Sequence, residues 1–374
     1  MIVLWTGYRA GPWVVRSLRR AGHRVVAAHP RGSLDGRSAA AARPIRYPAP
    51  AGVPAAFLGW LARTCRDRGA IAVVPLDEDL TGLLAHAEAD LGGAVLVGPD
   101  AAQFDALCDK AALGATARAA GVGRPAAVAV AAGAPAGPWP PLPSVVKPGA
   151  PAGVPEELTR IAVVDTAEAR DRRVRRLADA GVDAVVEERV DGVHWTVHCV
   201  RWGDGGFAGV TGRILRTTPR RGGMPSVIEA TPPARPALDA ARRLLDLVGY
   251  RGPANVQLFE RDGELLVHDV NLRPPAAVAL AIHAGLDLPR LGVEAALGAP
   301  APAAAPAARR RPVRYVSLLD EVRGLAEDPR AARRRALRHL VAAAAGIRPL
   351  LDPPLWDPLW IPRELAALAR NGRG

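Results

Sequence analysis

Lysine is almost missing from this chain: of 49 basic residues, only Lys110 and Lys147 are lysine. The bias to arginine, alanine, glycine and proline suggests a GC-rich coding background, in which arginine replaces a surface lysine at little cost. The two lysines that remain either survived by chance or mark places where a compact ammonium is needed and a guanidinium is too wide. Aromatic residues make up 4% of the chain, too few for the stacking platforms of single-strand binders. The net charge of +12 is therefore a weak sign of nucleic acid, all the more so because the arginines are spread along the chain. Cys65, Cys108 and Cys199 are odd in number and far apart. They fit neither a disulfide framework nor a zinc spacing, and are expected as partly buried thiols in a reducing compartment. No apolar run approaches the length of a membrane span. The opening MIVLWTGYRAG has no basic residue ahead of its apolar run and reads as a buried first strand, not a signal peptide.

With 374 residues, 49% of them hydrophobic, the chain can bury a large core in two or three domains. Residues 1–100 alternate strand (Ile2–Trp5), helix (Pro12–Ala21), strand (His23–Ala28), helix (54–68), strand (Ala70–Pro75), helix (Leu80–Ala89) and strand (Ala94–Val97). That order implies a parallel sheet with helices on its faces. Gly7 and Gly11 do not have the dinucleotide spacing and read as turn glycines. Pro75-Leu76-Asp77-Glu78-Asp79 follows a strand at its carboxyl end, where open sheets bind ligands. Helix capping explains the same acids equally well.

Residues 101–122 read as helical, with Asp109 a cap for a second helix from Lys110. Ala126–Pro143 contains an edge strand. Ser144-Val145-Val146-Lys147-Pro148-Gly149 is a strand ending on lysine, followed by a loop with Gly149 and Gly153. Glycine-bearing loops at such places can hold phosphate through backbone N–H groups, although this loop is poor in glycine. A helix (Glu168–Ala180), a strand running into Glu187-Glu188-Arg189-Val190-Asp191-Gly192, two antiparallel strands (Trp195–Arg201, Phe207–Arg216), a basic Arg220–Gly223 loop and a helix (Pro236–Val248) follow. Beyond a helix at Pro275–Gly285, an Ala/Pro/Arg linker (299–312) leads to a strand (Val313–Leu318) and an arginine-rich helix near Ala331–Ala344. On that helix Arg333, Arg334, Arg335 and Arg338 read as a solvated face. A tail follows that Trp356 and Trp360 are expected to dock.

The stretch Gly252–Pro275 reads as two strands around a tight turn. Asn255 and Gln257 alternate against Val256 and Leu258, and Asp269 and Asn271 against Leu266, His268 and Val270. A three-residue loop, Arg261-Asp262-Gly263, sets Asn255 opposite Asp269 and keeps Gln257 on the same face. A two-residue loop would separate Gln257 from Asp269. On one face Gln257, Asp269 and Asn271 then offer oxygens suited to Mg²⁺, with Arg273 just beyond. Any half-buried hairpin also shows one polar and one apolar face.

Taken in order, these pieces resemble the ATP-grasp family, in its carbamoyl-phosphate-synthase-like branch of carboxylate–amine ligases. The resemblance runs from about Ile2 to Gly298 and is strongest from Asp109 to Pro274. It implies an N-terminal parallel α/β domain (1–100), then a two-lobed ATP-grasp domain with antiparallel sheets (101–298; lobes about 125–190 and 191–298). A linker (299–312) and an α/β tail (313–374) complete the expectation. By the resemblance, Lys110 and Lys147 contact nucleotide phosphates, with Gly149 and Gly153 in the loop beside them. Glu187 accepts from the adenine amino group, and backbone at Glu188 and Val190 completes that contact. His194 stands where the family has a ribose-binding acid. Gln257, Asp269, Asn271 and Arg273 match the Gln…Glu-x-Asn-x-Arg signature, with aspartate in place of the metal-bridging glutamate. Arg213 and the Gly222-Gly223 loop fall where relatives contact phosphate and acceptor. The implied cofactors are ATP and Mg²⁺ or Mn²⁺, and the implied reaction joins a small-molecule carboxylate to an amine through an acylphosphate. The implied setting is cytoplasmic, with neither nucleic acid nor membrane as partner and room for a homodimer. Because of Asp269 and His194, a catalytically impaired ATP-binding partner protein is the alternative.

Overall fold

The computed structural model describes residues 1–4, 9–30, 44–50, 53–87, 90–132, 138–149, 154–155, 158, 161–303, 313–327, 349–352 and 357. The expectations for Gly7, Gly153, the arginines 333–335 and 338, Trp356 and Trp360 lie outside them.

The first strands are short and apolar, and they stack side by side in one parallel sheet. β1 (Ile2–Leu4), β2 (Val26–Pro30), β3 (Ile45–Tyr47), β4 (Ala72–Pro75) and β5 (Val95–Leu96) lie in the order β3-β2-β1-β4-β5. Strand β3 was not foreseen. Alternation along β1 sends Val3 to one face, packed against α1 (Gly11–Arg20), and Ile2 and Leu4 to the other, packed against α2 (Pro54–Arg68). Helix α2 ends on Gly69 in the left-handed region (φ 56°), as a residue without Cβ allows. Helix α3 (Glu78–His86) starts directly after β4.

The helical stretch expected over 101–122, with a second helix from Lys110, is α4 (Ala101–Leu107) and α5 (Leu113–Ala119), the second helix starting later than expected. The break comes at Asp109, whose Oδ1 accepts from the Ala111 and Ala112 N–H groups. The turn frees the Lys110 N–H to donate to the Gly149 carbonyl (3.0 Å).

A small antiparallel sheet follows: β6 (Ala127–Val130), β7 (Ser144–Pro148), β8 (Ala162–Val164) and β9 (Ala184–Glu188), ordered β6-β9-β7-β8 and backed by α6 (Ala167–Asp179). Strand β6 is at the edge, as its Ala/Pro/Gly surroundings suggested, and β8 was missed.

The large sheet holds β10 (Val193–Arg201), β11 (Phe207–Thr218), β12 (Met224–Ala230), β13 (Gly252–Arg261), β14 (Glu264–Asn271), β15 (Arg314–Ser317) and β16 (Pro349–Asp352). Their order is β14-β13-β10-β11-β12-β15-β16. One face packs on α7 (Arg235–Leu247) through Val197, Cys199, Val256 and Leu258 against Leu244 and Leu245. Each fully buried leucine there contributes about 1.5–3 kcal/mol. The other face carries α8 (Val278–Ala284) and α9 (Leu288–Ala296), which join it to α1 in a shared core. Helix α10 (Leu318–Glu327) follows β15. All three cysteines are free and fully buried, not partly as expected. Among the described residues, no helix is long and apolar enough to cross a membrane.

Candidate active site

The β13–β14 hairpin turns on two residues, not three. Arg261 pairs with Glu264, and both Asp262 (φ 53°) and Gly263 (φ 80°) are left-handed, the geometry that Asp-Gly turns favour. That turn alone would have put Gln257 and Asp269 on opposite faces. A bulge restores them: Leu258 pairs with Val267 but Gln257 with Asp269, so His268 is an extra residue in β14. Asn271 thus lies opposite Asn255. The expectation for the apolar face is corrected as well. Val267 and Val270 pack into the α7 core, while His268 joins Gln257, Asp269 and Asn271 along a cleft of about 510 Å³ between the two antiparallel sheets.

Donors converge on the Asp269 carboxylate. Asn271 Nδ2 donates at 2.7 Å, Gln257 Nε2 at 3.4 Å, and Lys110 Nζ stands 3.5 Å away. Burial pushes this carboxyl up, but the Lys110 charge, with that of Lys147 and the Asn271 hydrogen bond, outweighs it and brings the pKa down to about 2. Burial also opposes the Lys110 ammonium, yet Asp269 and Glu78 more than offset it and its pKa is raised. Lys147 is buried at the end of β7. Its Nζ donates to Glu187 Oε2 (2.7 Å) and to the His268 carbonyl (3.0 Å). Here burial prevails over Glu187 and the pKa is lowered. The chain's two lysines therefore enter one cleft.

Glu187 is 3% exposed, and its other oxygen accepts from Arg124 (3.0 Å). Its carboxylate is thus engaged by two cations. Glu188 bonds Arg261 and the Ala126 N–H, and Val190 lines the cleft. His194 does line the cleft. Its Nε2 shares an N–H···N bond of 2.9 Å with His268 Nε2, and its ring lies 4.5 Å from that of Phe259. Burial lowers the His194 pKa to about 4 and that of His268 well below the ordinary value, so both rings are neutral at pH 7.

Three expected residues stand elsewhere. Arg213 pairs with Trp195, while Gln257 pairs with the next residue, Thr196. Alternation puts Arg213 on the sheet face away from the cleft, exposed. Arg273 is buried, with Nη2 on Glu78 Oε2 (2.8 Å) and Asn271 Oδ1 (2.7 Å). It braces the hairpin from behind the cleft. The Gly149 N–H donates to the Asp183 carbonyl (2.8 Å), turned from the cleft. The Arg220–Gly223 loop does line the cleft, with Arg221 forked onto Asp165. Sequence reasoning missed Arg124, Asp165 and Phe259. Only Phe259 had a signal, being two residues beyond Gln257 on the same strand.

Among the described residues, no three His, Cys, Asp or Glu side chains form a metal cage. Mg²⁺ is ordinarily held by one or two carboxylates plus substrate phosphates, so Asp269 with the neighbouring amides suits it. Apolar Val145, Val163, Val190 and Phe259 line the same cleft as the lysines, as a base with a phosphate chain requires.

A small antiparallel lobe facing a large antiparallel sheet, with a parallel α/β sheet behind, defines the ATP-grasp class of fold. The fold is that of the ATP-grasp family, as the sequence resemblance implied. In particular, the family described as "ATP-grasp in the biosynthetic pathway with Ter operon" matches residues 181–320, which include Glu187 through Arg273. Similar solved structures include an L-amino acid ligase from Bacillus licheniformis (18% identity, TM-score 0.63, 79% of this chain and 73% of that one). N5-carboxyaminoimidazole ribonucleotide synthetase from Thermus thermophilus is similar at 19% identity and TM-score 0.62, over 83% and 81%. Biotin carboxylase from Campylobacter jejuni, solved with a β,γ-ATP ligand, is similar at 15% identity and TM-score 0.62, over 81% and 72%. No curated protein sequence matches significantly.

Proposed function

We propose that the chain is an ATP-dependent ligase that joins a carboxylate to an amine, with release of ADP and phosphate. The observation that carries this reading is the meeting of Lys110, Lys147 and Asp269 in one cleft with an apolar wall. The substrate carboxylate attacks the γ-phosphate in line, forming an acyl–O–P bond as the bond to ADP breaks. The amine then adds at the acyl carbon, loses a proton, and expels phosphate to leave an amide. Lys110 and Lys147 hold the phosphate chain. Backbone at Glu188 and Val190 meets the base, and neutral His194 meets the ribose. Asp269, with the Gln257 and Asn271 amides beside it, would hold Mg²⁺, which would neutralise charge at the phosphates. Arg273 positions Asn271. Little covalent work falls to the protein, so positioning and electrostatics carry the rate.

An ATP-binding partner without turnover is favoured by one observation, the Asn271 oxygen already held by Arg273. Both readings expect Mg-ATP to raise the melting temperature, since 100-fold saturation adds about 2.7 kcal/mol. Only the ligase releases ADP when amino acids are supplied, in pairs, with ATP. If ATP gives no thermal shift, or if Lys147→Ala leaves it unchanged, the nucleotide site is elsewhere.

A further inference from the structure

Among the described residues, Glu78 is the only side chain of the N-terminal parallel sheet and its helices that lines the cleft. Its neighbour makes this possible. Asp77 caps α3, its Oδ1 accepting from the Leu80 N–H at 2.8 Å, and so Glu78 is not needed for the helix. The two explanations of the acidic run are thereby divided between adjacent residues. Glu78 Oε2 accepts from Arg273 Nη2 at 2.8 Å, while Oε1 has no hydrogen-bond partner among the described residues. The side chain is 22% exposed. Burial raises its pKa, although Arg273 and Lys110 act against that, so this carboxyl is poorly solvated. Phosphate oxygens gathered by Lys110 and Lys147 gain nothing from a carboxylate at that end of the cleft. A cationic group does, because it replaces the lost water and meets the free oxygen.

We propose that Glu78 is a specificity-determining residue that binds an ammonium group of the substrate at the Asp269–Asn271 end of the cleft. The inference rests on the ligase reading above. The ammonium can belong to an α-amino acid whose carboxylate is phosphorylated, or to the amine that displaces the phosphate. In both cases the contact is a charge-assisted N–H···O bond to Glu78 Oε1.

The test uses the full chain with Mg-ATP in two arms. In the first, hydroxylamine traps the acylphosphate, and α-amino acids are compared with their desamino counterparts. In the second, the acid is fixed, and amine nucleophiles are compared with hydroxylamine. Glu78→Gln is expected to raise KM for the ammonium-bearing reactant on the order of tenfold or more relative to its ammonium-free counterpart. The effect falls in the first arm for a donor ammonium and in the second for a nucleophile. Glu78→Asp, which keeps the charge one methylene back, recovers part of the loss and replaces Glu78→Gln if that variant does not fold. An Mg-ATP thermal shift in each variant checks the nucleotide site separately. Equal changes for ammonium-bearing and ammonium-free reactants, or none, overturn the proposal and leave Glu78 only a brace for Arg273. If the wild-type protein shifts with Mg-ATP but traps no hydroxamate from any acid, the ligase reading falls, and this proposal with it.

Discussion

Lys147 and Glu187 lie diagonally on one face of the β7–β9 ladder, with Nζ 2.7 Å from Oε2 and the side chains 3% and 4% exposed. Arg124 holds the other Glu187 oxygen. Glu187→Gln therefore leaves two buried cations facing a neutral amide. Breaking a buried pair from one side costs about 3–5 kcal/mol, and urea unfolding should show a loss of that order. Lys147→Met is milder for the fold, because Arg124 stays on Glu187. Its main effect is expected on ATP affinity, read by thermal shift. An unchanged urea midpoint for Glu187→Gln would mean that the triad is not dry.

Asp269 carries the charge balance of the hairpin. Asp269→Asn removes the anion facing Lys110 but leaves both lysines in place. ADP release is expected to fall on the order of a hundredfold, while the ATP thermal shift weakens far less. Asp269→Glu adds the methylene by which this chain departs from the family signature, and its ADP release reports what the shorter acid costs. Equal turnover in wild type and Asp269→Asn would place the metal elsewhere.

The hairpin shows which parts of this protein were legible in its sequence and which were not. Alternation and turn residues located β13 and β14, but the turn was assigned one residue too many. Gln257 and Asp269 were still placed on one face, because a shorter turn and a bulge at His268 cancel in parity. No local pattern signals such a bulge, since it serves the cleft and not the strand. The lysines were legible because they are only two among 49 basic residues. Arg213 was misplaced because its face is fixed by register against β10, which sequence spacing does not give. Arg124 reaches Glu187 across 63 residues of chain, and no periodicity carries such a contact. Strands β3, β8, β12 and β16 went unseen because they are short or interrupted by proline, and their pairing is decided by neighbours.

His198 lies fully buried opposite Asn255, and burial lowers its pKa to about 4. An unfolded histidine takes up its proton near pH 6.5. Between these values the unfolded chain binds more protons than the native one, so stability falls as the pH drops from about 6.5 towards 4. At pH 5 the loss from His198 is about 2 kcal/mol. Urea unfolding at pH 8 and pH 5 should show it, and His198→Leu should flatten the difference by about that amount. Equal pH slopes in the two proteins would show that His198 is not held neutral.

Arg221 crosses from the β11–β12 loop to Asp165 on the small lobe, with Nη1–Oδ2 at 2.6 Å and Nη2–Oδ1 at 2.5 Å. The adjoining Gly222 (φ 77°) seats on that lobe so closely that a Cβ there would meet Ile161 Cγ2 at 3.1 Å. The ion pair is half exposed, at 47% and 58%, and such pairs add little to stability. Its position across the cleft gives it a different effect, on how readily the lobes part. Arg221→Ala is expected to leave Tm unchanged and to speed release of a fluorescent ATP analogue in stopped flow. Salt screens an exposed pair, so the excess of the variant's release rate over the wild-type rate should shrink as ionic strength rises. Matching release rates at low salt would show that this contact does not hold the lobes together.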